Sequence, residues 1–150
     1  MAKARERTAA CACGQLAVRL VGEPKMVSSC CCQQCQRRTG SFFGVTAFFG
    51  DDQLASSEGD ARIFERTAES GNRLAFRFCP RCGSTVWWRT EARPGDVCIA
   101  GGSFADADFP APRRMIWTEH RHPWVRVPDD LPLFDQGPRP PPLDDPTSRR

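Results

Sequence analysis

The chain has 150 residues, 40% of them hydrophobic and 26% charged, the size and balance of one globular domain with its own core. No run approaches the roughly 18 apolar residues of a membrane span. The basic N-terminus MAKARERTAA lacks the apolar stretch of a secretory signal, which points to the cytoplasm, and a net charge of +3 is too slight to indicate a nucleic-acid partner.

In chain order, residues 1–9 read as a flexible arm, basic and poor in apolar anchors. The segment Gln15–Val21 alternates Leu16, Val18 and Leu20 with Ala17 and Arg19, the pattern of a half-buried strand. Phe43–Phe49 is aromatic and β-prone. Ala61–Arg66 and Arg73–Phe78 repeat the period of two, with Gly71-Asn72 suited to the turn between them. Thr85–Arg89 and Val97–Ala100 continue it. Helical windows are confined to a short turn after Cys35 and another near Glu119. Trp117, Trp124, Leu131, Leu133 and Phe134 read as anchors of the last folded segment. From Gly137 the sequence GPRPPPLDDPTSRR reads as a disordered tail. The expected architecture is a single, mainly β domain over residues 10–136, with few short helices.

Nine cysteines are the informative count. Without an export signal, thiolate–metal chemistry is a better reading than disulfides. Cys11-Ala12-Cys13, read as extended, places two sulfurs on one face. Cys79-Pro80-Arg81-Cys82-Gly83 forms a knuckle whose amides point at its sulfurs. Four thiolates close a tetrahedron around Zn²⁺, so this site is expected to be structural. Cys30, Cys32 and Cys35 form a second set in which the intervening Cys31 points away. Three ligands leave a zinc position open, the arrangement that permits catalysis. The alternative is a second closed site, with Cys31 or the distant Cys98 as its fourth ligand. Three thiolates on a dication carry a net charge of −1, which suits a small thiol as fourth ligand better than hydroxide generation. Arg37 and Arg38 follow the last ligand and read as neutralising this centre and capturing a carboxylate on the thiol substrate; a solvated basic loop is an equal alternative. Cys98 reads as a buried small hydrophobe, and His120 with His122 as surface residues rather than a third metal site. Gly101-Gly102 would let the backbone pass close to something bulky.

The motifs CACGQLAVRL, CCCQQCQRRTG, FRFCPRCGSTVWW, GGSF and RRMIWTEHRHPWVRVPDDLPLF resemble, in this order, the glutathione-dependent formaldehyde-activating enzymes, which share a zinc-binding domain with centromere protein V. The resemblance implies a β-tent fold with two zinc ions. It assigns Cys11, Cys13, Cys79 and Cys82 to a structural zinc, and Cys30, Cys32 and Cys35 to a catalytic one. It implies a carbon–sulfur lyase that joins glutathione to formaldehyde as S-hydroxymethylglutathione. One departure is Cys31, where members of that family commonly carry His. A rival expectation is a non-catalytic zinc module binding protein or nucleic acid.

Overall fold

A computed structural model describes residues 3–137. Thirteen of the fourteen residues expected to form the disordered tail lie outside it. The described residue, Gly137, packs against Trp117, whose Nε1 would lie 3.2 Å from a Cβ added there. Among the described residues the chain forms ten strands and one α-helix. These are β1 (Glu6–Ala10), β2 (Ala17–Val21), β3 (Met26–Cys30), α1 (Gln33–Thr39), β4 (Gly44–Gly50), β5 (Leu54–Glu58), β6 (Arg62–Thr67), β7 (Arg73–Phe78), β8 (Thr85–Thr90), β9 (Asp96–Ala100) and β10 (Met115–Ile116). A three-stranded sheet runs β1-β2-β5, and a seven-stranded sheet runs β10-β3-β4-β9-β8-β7-β6. All pairings are antiparallel except β10 with β3.

The two sheets bury their alternating residues against each other. Ala9, Leu16, Val18 and Leu20 from the small sheet and its margin meet Val27, Ala47, Phe49, Val86, Trp87, Val97 and Ile99 from the large one in a single core. The opposite face of the large sheet carries a smaller apolar cluster of Phe76, Trp88 and Cys98, flanked by Phe48 and Leu74. This outer face positions the second cysteine set. Cys30 stands opposite Gly44, Phe48 opposite Cys98, Cys98 opposite Trp88, Trp88 opposite Phe76, and Phe76 opposite Phe64. Directly opposed residues share a face, so the row runs from Cys30 to Phe64 on the edge strand β6.

Residues 6–9 are not an arm. They belong to β1, with Ala9 in the core and Arg7 buried beneath it. The Arg7 guanidinium donates to Asp106 at 2.9 Å and to Glu23 at 2.9 and 3.1 Å, and lies 4.8 Å from the Phe109 ring centre. A charged residue is buried here because two carboxylates take its terminal nitrogens and a ring covers it, a pairing invisible to composition; Nε alone is without a partner among the described residues. β3 is a second unexpected strand: Ser28 and Ser29 are buried because Arg114 serves both, donating to the Ser28 hydroxyl and accepting from the Ser29 hydroxyl at its carbonyl. The expected anchors Trp124, Leu133 and Phe134 are 60%, 46% and 43% exposed, and Met115 and Val125 are the buried residues of that segment.

Candidate metal centres

The first centre joins the two ends of the motif set. Cys11-Ala12-Cys13 is a turn rather than extended backbone, closed by Gly14 N–H donating to the Cys11 carbonyl at 2.9 Å with Gly14 at φ +81°. The turn is tighter than a strand and brings the Cys11 and Cys13 sulfurs to 3.6 Å, and Cys13 to 3.6 Å from Cys79. Tetrahedral ligands on bonds of about 2.3 Å stand about 3.8 Å apart, so the spacing fits zinc. All four Sγ atoms of Cys11, Cys13, Cys79 and Cys82 lie within 4.8 Å of one another.

Donors surround these sulfurs. Gln15 Nε2 donates to Cys79 at 2.9 Å, Leu16 N–H to Cys11 at 3.3 Å and Arg81 N–H to Cys79 at 3.4 Å. The Ser84 hydroxyl beside Cys82, with the amides of Ser84 and Cys13, pulls that thiol down to about 5. Burial opposes ionisation of Cys79, yet Gln15 and the amides of Cys82 and Arg81 hold its thiol below the ordinary value. Such an environment is built for thiolates.

The second centre is held on the outer face of the large sheet. Cys30 ends β3, Cys32 is the N-cap of α1 and Cys35 lies within that helix. Their sulfurs all lie within 4.8 Å of one another, and among the described residues no fourth His, Cys, Asp or Glu joins them. Cys31 points into the protein, fully buried, and belongs to neither group. Cys98 is likewise buried and apart, with its thiol pushed up to about 12 by burial. The alternative with either as fourth ligand therefore does not match the geometry.

Within the set, Cys32 is the thiol most readily ionised. The Cys30 and Cys35 thiols beside it, the Cys35 N–H at 3.3 Å and the charge of Arg66 bring it down to about 2. Cys30 is pushed the other way by Cys32, Cys35 and burial. Three sulfurs competing for protons at this distance are more stable around a cation than alone.

Neighbours hold the ligand segment in place. Cys31 N–H donates to the Ile116 carbonyl at 3.0 Å, tying the segment to β10. Gln36, missed by sequence reasoning, donates from Nε2 to the Cys31 carbonyl at 2.9 Å and the His120 carbonyl at 3.3 Å, while its Oε1 lies 3.0 Å from His122 Nε2. His122 thus orients α1 rather than binding metal, and its ring meets Phe42 edge-on at 4.6 Å.

The two arginines after the motif part company. Arg37 is exposed, whereas Arg38 folds back over the outer face, its guanidinium 4.5 Å from the Trp88 ring centre and 5.6 Å from that of Phe76. Burial lowers its pKa, and the neighbouring Cys35 sulfur opposes that shift. Gly44 makes the seat: a Cβ there would lie 2.9 Å from Arg38 Nη2 and 3.5 Å from Cys35 Cβ. Arg66, from β6, reaches the Phe76 ring as well, 5.5 Å from its centre. Only strand register places it there, because it stands 31 positions from Cys35 in the chain.

A cleft of about 530 Å³ opens beside Arg38 and runs past Gly44, Ala100, Gly102 and Ser103 to the Cys82 turn. The bulky neighbour of Gly101 is Val45, whose Cγ1 would lie 2.7 Å from an added Cβ, while Gly102 leaves its side open.

A family model described as glutathione-dependent formaldehyde-activating enzyme matches residues 6–120. No curated protein matches the chain. Among solved structures, the crystal structure of a Rhodobacter sphaeroides protein, a structural-genomics target, is similar at a TM-score of 0.51 and 17% identity, covering 71% of this chain and 92% of that one. The likeness extends to the fold. With the family match spanning most of the chain and both cysteine sets inside it, this protein belongs to the glutathione-dependent formaldehyde-activating enzyme family.

Proposed function

We propose that the protein is a zinc-dependent carbon–sulfur lyase that adds a small thiol, glutathione or a close analogue, to an aldehyde such as formaldehyde. The observation that carries the reading is the second cysteine set: three sulfurs within 4.8 Å, no fourth protein ligand among the described residues, and Arg38 standing between Cys35 and a cleft that it lines. In this reading Cys11, Cys13, Cys79 and Cys82 hold a structural zinc, and Cys30, Cys32 and Cys35 hold a second zinc. The second ion would supply the Lewis acidity that keeps a thiol substrate ionised at neutral pH.

The chain's own residues do the rest. Arg38 balances charge at the sulfur cluster, Gly44 gives Arg38 and Cys35 room, and the Gly102 side of the cleft admits a ligand of glutathione's size. In the reaction the sulfur lone pair forms a C–S bond to the aldehyde carbon, the carbonyl π pair moves to oxygen, and the thiol's proton ends on that oxygen. Nothing else is consumed. The cytoplasm suits this chemistry, since all nine cysteines are unbridged.

Exchange NMR tests the reading. Zinc-loaded wild type should accelerate magnetisation exchange between formaldehyde and its glutathione adduct, and Cys32→Ser should return the rate to the uncatalysed value. Equal acceleration by both proteins would refute the assignment of this site.

A further inference from the structure

Arg38 and Arg66 approach the second cysteine set from opposite sides of the chain order and meet at one ring. Both guanidiniums lie about 5.5 Å from the Phe76 centre, at 5.6 and 5.5 Å. Both are half-buried, and among the described residues neither has a carboxylate partner within ion-pair distance. Arg5, Arg7, Arg19, Arg73, Arg89 and Arg93 all have one. A guanidinium lying against an aromatic ring keeps donors at its edge for a further partner, and Arg38 also hydrogen-bonds the Cys35 sulfur.

We infer that Arg38 and Arg66 form a two-guanidinium site for a carboxylate carried by the thiol substrate, so that the centre takes anionic thiols in preference to neutral ones. This rests on the reading that the second cysteine set accepts a thiol, and it names the class of thiol. Arg66, rather than Arg37, is the partner of Arg38. Forked donors match the two oxygens of a carboxylate, and hydrogen bonds to charged groups of this kind correspond to roughly a 10–100-fold preference.

The test uses cobalt(II)-substituted full-length protein, with bound metal counted by native mass spectrometry. 3-Mercaptopropionate and 2-mercaptoethanol are titrated separately while the sulfur-to-cobalt charge-transfer band is followed. In wild type, 3-mercaptopropionate should saturate the change at a concentration roughly 10–100-fold lower. In Arg66→Gln that ratio should collapse towards one, and Arg66→Lys should keep part of it. Comparing ratios between proteins cancels the differing acidity of the two thiols. A wild-type ratio unchanged in Arg66→Gln overturns the inference, as does equal weakening of both thiols, which would reduce Arg66 to a counter-charge for the sulfurs. If neither thiol alters the wild-type band, thiol ligation itself fails and this inference falls with it.

Discussion

A single missing side chain makes room for Arg38 beside the second cysteine set. Gly44 faces Cys30 across the β3–β4 pair, and the space its hydrogen leaves is filled by the Arg38 guanidinium and the Cys35 Cβ. Gly44→Val should therefore displace α1's contents and lower metal content from two ions per chain to one, with the first centre intact; native mass spectrometry reads this directly. At the same scale, Cys31 and Cys98 are fully buried, and burial raises both thiols above the ordinary value. In folded, metal-loaded protein both should resist iodoacetamide at pH 8 and react only on unfolding, as peptide mapping would show. Rapid labelling of Cys98 in the native state would contradict its placement. The two cysteine clusters were legible from spacing, because C-x-C and C-x-x-C segments bring their own sulfurs together, although the fold is what joins residues 11 and 13 to residues 79 and 82. Arg66 and Gln36 were not, since each acts through a contact that exists only after strands align or a helix docks.

At the scale of elements, α1 is seven residues long and has no buried residue of its own, so packing contributes little to its position. Its hold on the protein is polar: the Cys32 cap, Gln36 across to the 31 and 120 carbonyls, and Arg38 on the rings of β7 and β8. Gln36→Ala removes two of these bonds and the contact to His122 at once and should cost about 1–3 kcal/mol, with weaker metal retention at the second centre in chelator competition. Unchanged retention would mean that the metal alone organises the helix. Element legibility followed the same logic. The strands β2, β4, β6, β7, β8 and β9 were readable from alternating or β-prone aromatic and branched residues, even though β6 is almost wholly exposed and β9 is buried on both faces. β1 and β3 were not, because buried Arg7, Ser28 and Ser29 break the alternation and are satisfied by partners distant in sequence.

Across the whole molecule, the first centre links residue 11 at the end of the small sheet to residues 79 and 82 beyond β7 of the large one. A metal held there would fasten the two sheets at one margin of their shared core. The second centre sits outside that core and joins only β3 to α1. The two should therefore differ in what their loss does. Structural zinc in small peptides contributes roughly 10–16 kcal/mol, as much as a domain's entire stability. Cys79→Ser should leave the chain unfolded or aggregated at 25 °C, whereas Cys32→Ser should unfold cooperatively within about 5 °C of wild type. Circular dichroism melts of the two variants give the comparison, and a collapse in Cys32→Ser would make the second centre structural too.

The central claim is that one metal ion is bound by three protein sulfurs and receives its fourth from a substrate. Zinc X-ray absorption on the doubly loaded protein, before and after glutathione, measures this most directly. A closed and an open site together should average about 3.5 sulfurs per zinc without glutathione and about 4 with it. An average of 4 before any thiol is added, or no rise at saturating glutathione, would contradict the account.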